Sequence, residues 1–379
     1  MKKIVGMIAA AAIATSVFAA DISAKVQLEG NLFKFNTDKS MSLFDIDKPS
    51  DQHWNPVFNL STSSDTAGAE FVVYTGKLDS NGNWNKAFNN GANRFKIWMS
   101  PVDGLKLIFG LNGFKLNEEH IRWSKSDSGA EDYGYSLQYA KDGLTIDLGL
   151  LPGWASNWLS KADGGDLVLG LTAAKVAYSA DFGTISGLIT YKSIPAVAAQ
   201  AAKAGEYYLD PATGTIKQKE GTAAVEAKDA SAEIKFGVGY ANNFDGTDVF
   251  VNVLGYMADN KFNKIRGEIY ASGSADKFGW SIFPVVEIYP EADDKVELFL
   301  LAKATYKLDP ATVYFEFADL QGLINKFGKN GGEWDGDNGA LFTLGLNGNL
   351  GGASWDVGAR INLREKVAFS VPVTFSFGW

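Results

Sequence analysis

The side chains in this chain with the most chemical potential are charges spaced two or four residues apart. Lys25 and Glu29 keep one parity, as do Arg266 and Glu268, and as do Asp356, Arg360 and Arg364; Lys106, Lys235 and Lys303 stand in similarly alternating surroundings. Residues of one parity in an extended strand share a face. A face bearing such charges must meet water, and acidic and basic groups looking across an aqueous passage set up a transverse field that sorts solutes by charge. Taken singly, each reads as an ordinary solvated side chain. Taken together, Asp356, Arg360 and Arg364 beside Lys303 and Arg266 lead us to expect a partly basic wall.

Covalent chemistry has little to work with. The chain has two histidines, His53 and His120, and no cysteine. A hydrolytic triad needs a histidine beside its nucleophile and a polar group to orient it, and both histidines fall in expected loops. We therefore expect no enzyme. Three loops alternate Asp or Asn with Gly, around residues 79–83, 245–248 and 335–339. That pattern can wrap oxygen ligands around a hard cation such as calcium, with Asp335 and Asp337 the best placed. The same residues build ordinary Asx turns, and no downstream bidentate Glu completes a loop. No other cofactor is expected.

The elements that must position these charges are strands. From Ile22 onward, apolar and polar residues alternate in segment after segment, about eighteen in all, with sixteen as the alternative count. The links between them sort by order along the chain. Those at residues 36–53, 78–92, 116–130, 152–165, 194–232 and 319–339 are long. Between them lie short ones rich in Gly, Asp and Pro, at residues 102–104, 141–143, 180–182, 309–310 and 351–353. The segment 319–329 places Leu320, Leu323, Ile324 and Phe327 at helical spacing, so a short helix capped by Asp319 is expected there as a constriction element. The Ala-rich stretch 194–232 is expected to be a surface loop. Pro284 and Pro372 fall inside strands, where a bulge is expected at each.

Composition agrees with many short strands. Gly 41, Phe 25, Tyr 14 and Trp 10 stand against Pro 10 in 379 residues, and the formal net charge of −9 argues against a nucleic-acid partner. Residues 1–19 have a basic start, an apolar core and a small-residue end with Val17 and Ala19 at the cleavage positions. They are expected to be a cleaved export signal, leaving residues 20–379 as one domain.

The last stretch is the most telling. Val367, Phe369, Val371, Val373, Phe375, Phe377 and Trp379 share one parity, and small or polar residues fill the other. This ending resembles the closing strand of bacterial outer-membrane β-barrels, in which the terminal aromatics form part of the signal read by the barrel-assembly machinery. The resemblance assigns that role to Phe375, Phe377 and Trp379. It implies an all-β fold: a single closed antiparallel transmembrane β-barrel with short periplasmic turns, long outer loops and aromatic girdles that include Trp280 and Trp355. It also implies an outer-membrane location, membrane lipid around the barrel, and a porin-like passage for small hydrophilic solutes. Porins of this size are often homotrimers, and a trimer is the corresponding expectation. Two other readings stay open: a surface adhesin or structural barrel whose loops bind an external partner, and a transporter of hydrophobic substrates. The last is disfavoured, because no N-terminal plug of the kind such proteins carry is expected between the cleavage site and the first strand.

Overall fold

The structure, a computed structural model, describes residues 20–36, 41–46, 57–74, 77–78, 84–85, 94–118, 129–151, 159–161, 167–194, 206–209, 216–219, 231–259, 261–291, 296–319, 340–363 and 367–378. All regular structure among them is β. The first half contains β1 (Ala20–Asn36), β2 (Met41–Ile46), β3 (Val57–Ser63), β4 (Ala67–Tyr74), β5 (Lys77–Leu78), β6 (Trp84–Asn85), β7 (Arg94–Val102), β8 (Leu105–Lys115) and β9 (Gly129–Lys141). Next come β10 (Leu144–Leu151), β11 (Leu159–Lys161), β12 (Leu167–Leu169), β13 (Leu171–Ala180), β14 (Gly183–Ile194), β15 (Glu206–Leu209), β16 (Ile216–Lys219) and β17 (Ser231–Phe244). The last eight are β18 (Thr247–Ala258), β19 (Lys261–Ala275), β20 (Phe278–Ile288), β21 (Val296–Lys307), β22 (Ala311–Asp319), β23 (Ala340–Leu350), β24 (Ala353–Leu363) and β25 (Ala368–Gly378).

Nineteen of these strands form one antiparallel sheet. Each pairs with its neighbour in order, and the ring closes where β25 returns to β1, with Val26 opposite Phe377 and Phe35 opposite Phe369. On its other side β1 is covered by β3 along Ala20 to Lys25 and by β2 along Gly30 to Phe35. β2 and β3 thus share one position, and the ring has eighteen positions. Closure leaves no row of free backbone donors and acceptors, which hydrocarbon could not solvate.

The remaining strands form three two-stranded hairpins, β5–β6, β11–β12 and β15–β16. Each interrupts a long connection, at the opposite end from the short turns. Those turns are tight because their residues accept unusual backbone angles: Asp142 with Gly143 (φ 51° and 81°), and Asp245 with Gly246 (φ 49° and 86°), lie in the left-handed region.

Burial is inverted relative to a water-soluble protein. Phe109, Leu148, Ile189, Val253 and Leu344 are exposed, while residues on the other parity of the strands point inward, among them buried Asn252, Arg266, Glu268, Glu316 and Thr343. Oily side chains on the outside and charges within fit a barrel whose solvent is lipid. Aromatics collect at the short-turn end: Tyr178, Phe182, Phe244, Phe278, Phe375 and Phe377 are exposed there, and Trp355 pairs with Phe375. Trp280 sits near the start of β20 on the parity of exposed Phe278 and Ile282.

Several expectations need correction. The long connection expected at 36–53 contains β2, because Met41 and Leu43 continue the alternation and extend the second position along β1. The connection 194–232 carries the β15–β16 hairpin. Asp319 is the last residue of β22, wholly buried and paired with Ala340; the helix expected after it falls on residues outside the described set. At Pro372 the irregularity falls on the facing strand, between Asn31 and Phe33, where the missing donor leaves β1 free to slip by one residue. Pro284 produces no register shift, because the pairing of β19 with β20 resumes in the same register on either side of it.

Candidate functional site

The lumen is where charged side chains of separate strands meet, and alternation alone brings them there. At the end of β8, Phe114 and Leu116 continue the inward parity where a rim residue would turn polar. They pack into one buried cluster with Leu151, Ala173, Leu188 and Leu254 from β10, β13, β14 and β18. Phe114 fits because Gly149 has no side chain: a Cβ there would lie 2.2 Å from the Phe114 ring. Residues 116–118 are thereby drawn into the barrel instead of out over its rim.

Asn117 fixes that segment to the far wall. Its Nδ2 donates to Asn252 Oδ1 at 3.0 Å, and Asn252 Nδ2 donates back to the Asn117 carbonyl at 2.8 Å. Asn252 Nδ2 also reaches Glu268 Oε2 at 2.9 Å. Glu268 in turn accepts from Arg266 Nε at 2.6 Å, and the Arg266 guanidinium bonds Glu287, which is also held by Lys264 Nζ at 2.9 Å. Arg266, Glu268 and Glu287 are 3%, 0% and 4% exposed. Charges this buried are tolerable only when paired and hydrogen-bonded. Beyond the end of β20, Tyr289 donates to Glu287; burial, and then that hydrogen bond, hold its phenol well above the usual tyrosine range.

Farther round the wall, Lys303 Nζ bonds Glu316 Oε1 at 2.8 Å and lies 5.3 Å from the Tyr314 ring centroid. The Tyr314 hydroxyl donates to Asp356 Oδ1 at 2.8 Å. Arg360 faces inward from β24 opposite Thr343 and Ser370. Lys235 Nζ donates to the Gly129 carbonyl at 3.2 Å, and Lys106 lies over Trp98 at 4.6 Å. Lys25 and Glu29 lie in β1 opposite Gly378 and Thr374. Arg364, Asp335, Asp337 and Trp379 fall outside the described residues, as do His53 and His120.

The partly basic wall is therefore revised. Arg266, Lys264 and Lys303 each face a carboxylate, which cancels most of the field they would otherwise project. Sequence reasoning placed Arg266, Glu268 and Lys303 on the inner face but could not see Glu287 and Glu316 opposite them. It missed Asn117 and Asn252 altogether. Part of the interior is also dry: Phe250, Phe283, Val285, Phe299, Leu301, Ala318 and Leu341 form a second buried cluster on the inner wall. Below residues 116–118, towards the short-turn end, a recess of about 560 Å³ opens between β14, β17, β18 and β19.

No protein-family model matches the chain, and no curated protein matches it. Among solved structures, OmpT, an outer membrane protein of Vibrio cholerae, aligns over 95% of this chain and 97% of its own at 11% identity, with a TM-score of 0.46. OccK2 (OpdF) and OpdQ of Pseudomonas aeruginosa each align over 95% of this chain and 97% of their own at 11% identity, with a TM-score of 0.49. Likeness of this degree says nothing of solute or mechanism. The closed ring, the apolar exterior and the charged interior together give this chain the architecture of a porin-like outer-membrane β-barrel.

Proposed function

We propose that the protein is a passive outer-membrane channel for small hydrophilic solutes, narrowed by residues 116–118. One observation carries this reading: an apolar exterior surrounds an interior lined with paired charges, hydroxyls and amides, which is the distribution a water-filled passage through lipid requires. A ring of eighteen positions belongs to the size class that leaves an aqueous channel when its interior is not filled. Here the inward segment and the two apolar clusters take up part of that section, so the passage is narrow. Because Lys264, Arg266 and Lys303 face carboxylates, most of their field is cancelled and ion selectivity is weak. The leader at residues 1–19 supplies export, and the terminal Phe375, Phe377 and Trp379 supply the assembly signal. A homotrimer in the outer membrane completes the proposal.

The test is single-channel recording of the refolded chain 20–379 in a planar bilayer. Discrete steps of low conductance with near-neutral selectivity are expected. A folded, heat-modifiable barrel that carries no current would defeat the channel reading and favour a structural or adhesive role.

A further inference from the structure

The recess under residues 116–118 has a lining unlike the rest of the lumen. Its roof is Asn117 and Glu118, and its walls include Asn243, Asp248 and Ser272 from the short-turn ends of β17, β18 and β19. Its floor is aromatic. Phe250 and Tyr270 face each other across β18 and β19, with ring centroids 5.1 Å apart and planes 21° from parallel. At about 560 Å³ it falls within the roughly 300–1,000 Å³ of small-molecule sites.

The chemistry of that lining selects a solute. Asn243, Ser272 and Thr184 each offer both donors and acceptors, and Asn117, whose amide hydrogens go to Asn252 and the Tyr240 carbonyl, adds an acceptor oxygen, which suits hydroxyl groups that both donate and accept. A cation would be served by acceptors alone, and an anion would meet the carboxylates of Glu118 and Asp248. Those carboxylates already have partners: Lys115 lies 3.1 Å from Glu118, and Asn243 donates to Asp248 at 2.7 Å. An aromatic surface beside such groups takes the C–H face of a ring that is polar only at its edge. The place also matters, because the segment that narrows the lumen is the roof of the recess. A solute passing that segment enters the recess next.

We propose that the recess is a binding subsite for neutral saccharides of one or two rings, which makes sugar the favoured solute of the channel; this rests on the channel reading above. Tyr270, backed by the buried Phe250, forms the stacking surface, and Asn117, Asn243, Asp248 and Ser272 hold the hydroxyls.

The experiment uses the refolded barrel in a detergent without a sugar headgroup, with sucrose as the probe and arginine hydrochloride and sodium acetate as charged comparators. Sucrose should interrupt the single-channel current in a concentration-dependent manner and give a saturable heat by calorimetry, and the charged comparators should do neither. Tyr270→Ala and Asp248→Ala should each weaken both signals several-fold, while Tyr270→Phe, which keeps the ring, should retain them. Heat-modifiable migration shows that each variant has folded. A conducting channel that sucrose neither blocks nor heats overturns the proposal, as does a block unchanged in Tyr270→Ala or matched by arginine. A silent bilayer overturns only the channel reading, and calorimetry then decides the recess alone.

Discussion

Asn117 and Asn252 stand 135 residues apart in the chain and exchange hydrogen bonds inside the barrel, each amide donating to the other residue. Asn117 follows the outer end of β8, whereas Asn252 faces inward from β18, on a wall that β8 never touches as a neighbour. The pair therefore sets how far residues 116–118 reach across the passage.

Replacing Asn252 with Ala removes the acceptor for Asn117 and a donor to Glu268. A buried polar group left without its partner costs about 1–3 kcal/mol, enough to shift a segment held mainly by one apolar residue, Leu116. The expected result is a larger and noisier single-channel current with the barrel still heat-modifiable. Conductance and noise identical to the parent would show that Asn252 does not hold the constriction.

Arg266 answers two carboxylates at once. In Arg266→Met, Glu268 stays buried without Arg266 while Glu287 keeps only Lys264, and breaking a buried pair in this way typically costs about 3–5 kcal/mol. Urea unfolding in detergent should show a clear drop in midpoint. Arg266→Met with Glu268→Gln should recover a large part of it, since Glu287 keeps Lys264 and neither carboxylate is then left charged without a cation. A single variant as stable as the parent would mean that water reaches these groups.

How much of this could be read from the residues depends on the range of the interaction. A period of two needs only neighbours, so alternation in segments such as Leu105–Lys115 and Gly183–Ile194 points to strands and to their two faces. The tight turns were equally legible, because Asp142–Gly143 and Gly351–Gly352 carry their own backbone reasons. The inward reach of residues 116–118 was not. Its partners on β17 and β18 come from 123 and 135 positions away, and only the apolar Leu116 in an otherwise polar rim hinted at it. Charge compensation was hidden for the same reason: Arg266 and Glu287 are placed opposite each other by the register of β19 on β20.

Lys303 is the paired cation best placed to touch the passing solution. It is 32% exposed, while its partner Glu316 is 4% exposed. In Lys303→Met the carboxylate of Glu316 faces the lumen without its cation, so the reversal potential in a salt gradient should move towards cation preference. The shift should shrink as salt is raised, because screening shortens the reach of the charge. No shift at low salt would put this pair off the ion path.

Val253 tests the solvent of the outer wall itself. It is 47% exposed on β18, between inward Asn252 and Leu254, well away from either end of its strand. On a water-facing surface Val253→Arg would change stability by no more than about 0.5 kcal/mol. Near the middle of a bilayer the same substitution costs about 2–4 kcal/mol, because the guanidinium must leave water. Asp181→Arg, in the exposed turn between β13 and β14, keeps its charge in reach of solvent and serves as the control. Folding of both variants into lipid vesicles, followed by reversible denaturant titration, should separate them by that margin. Equal stability would mean that water, and not lipid, covers the outer face of β18.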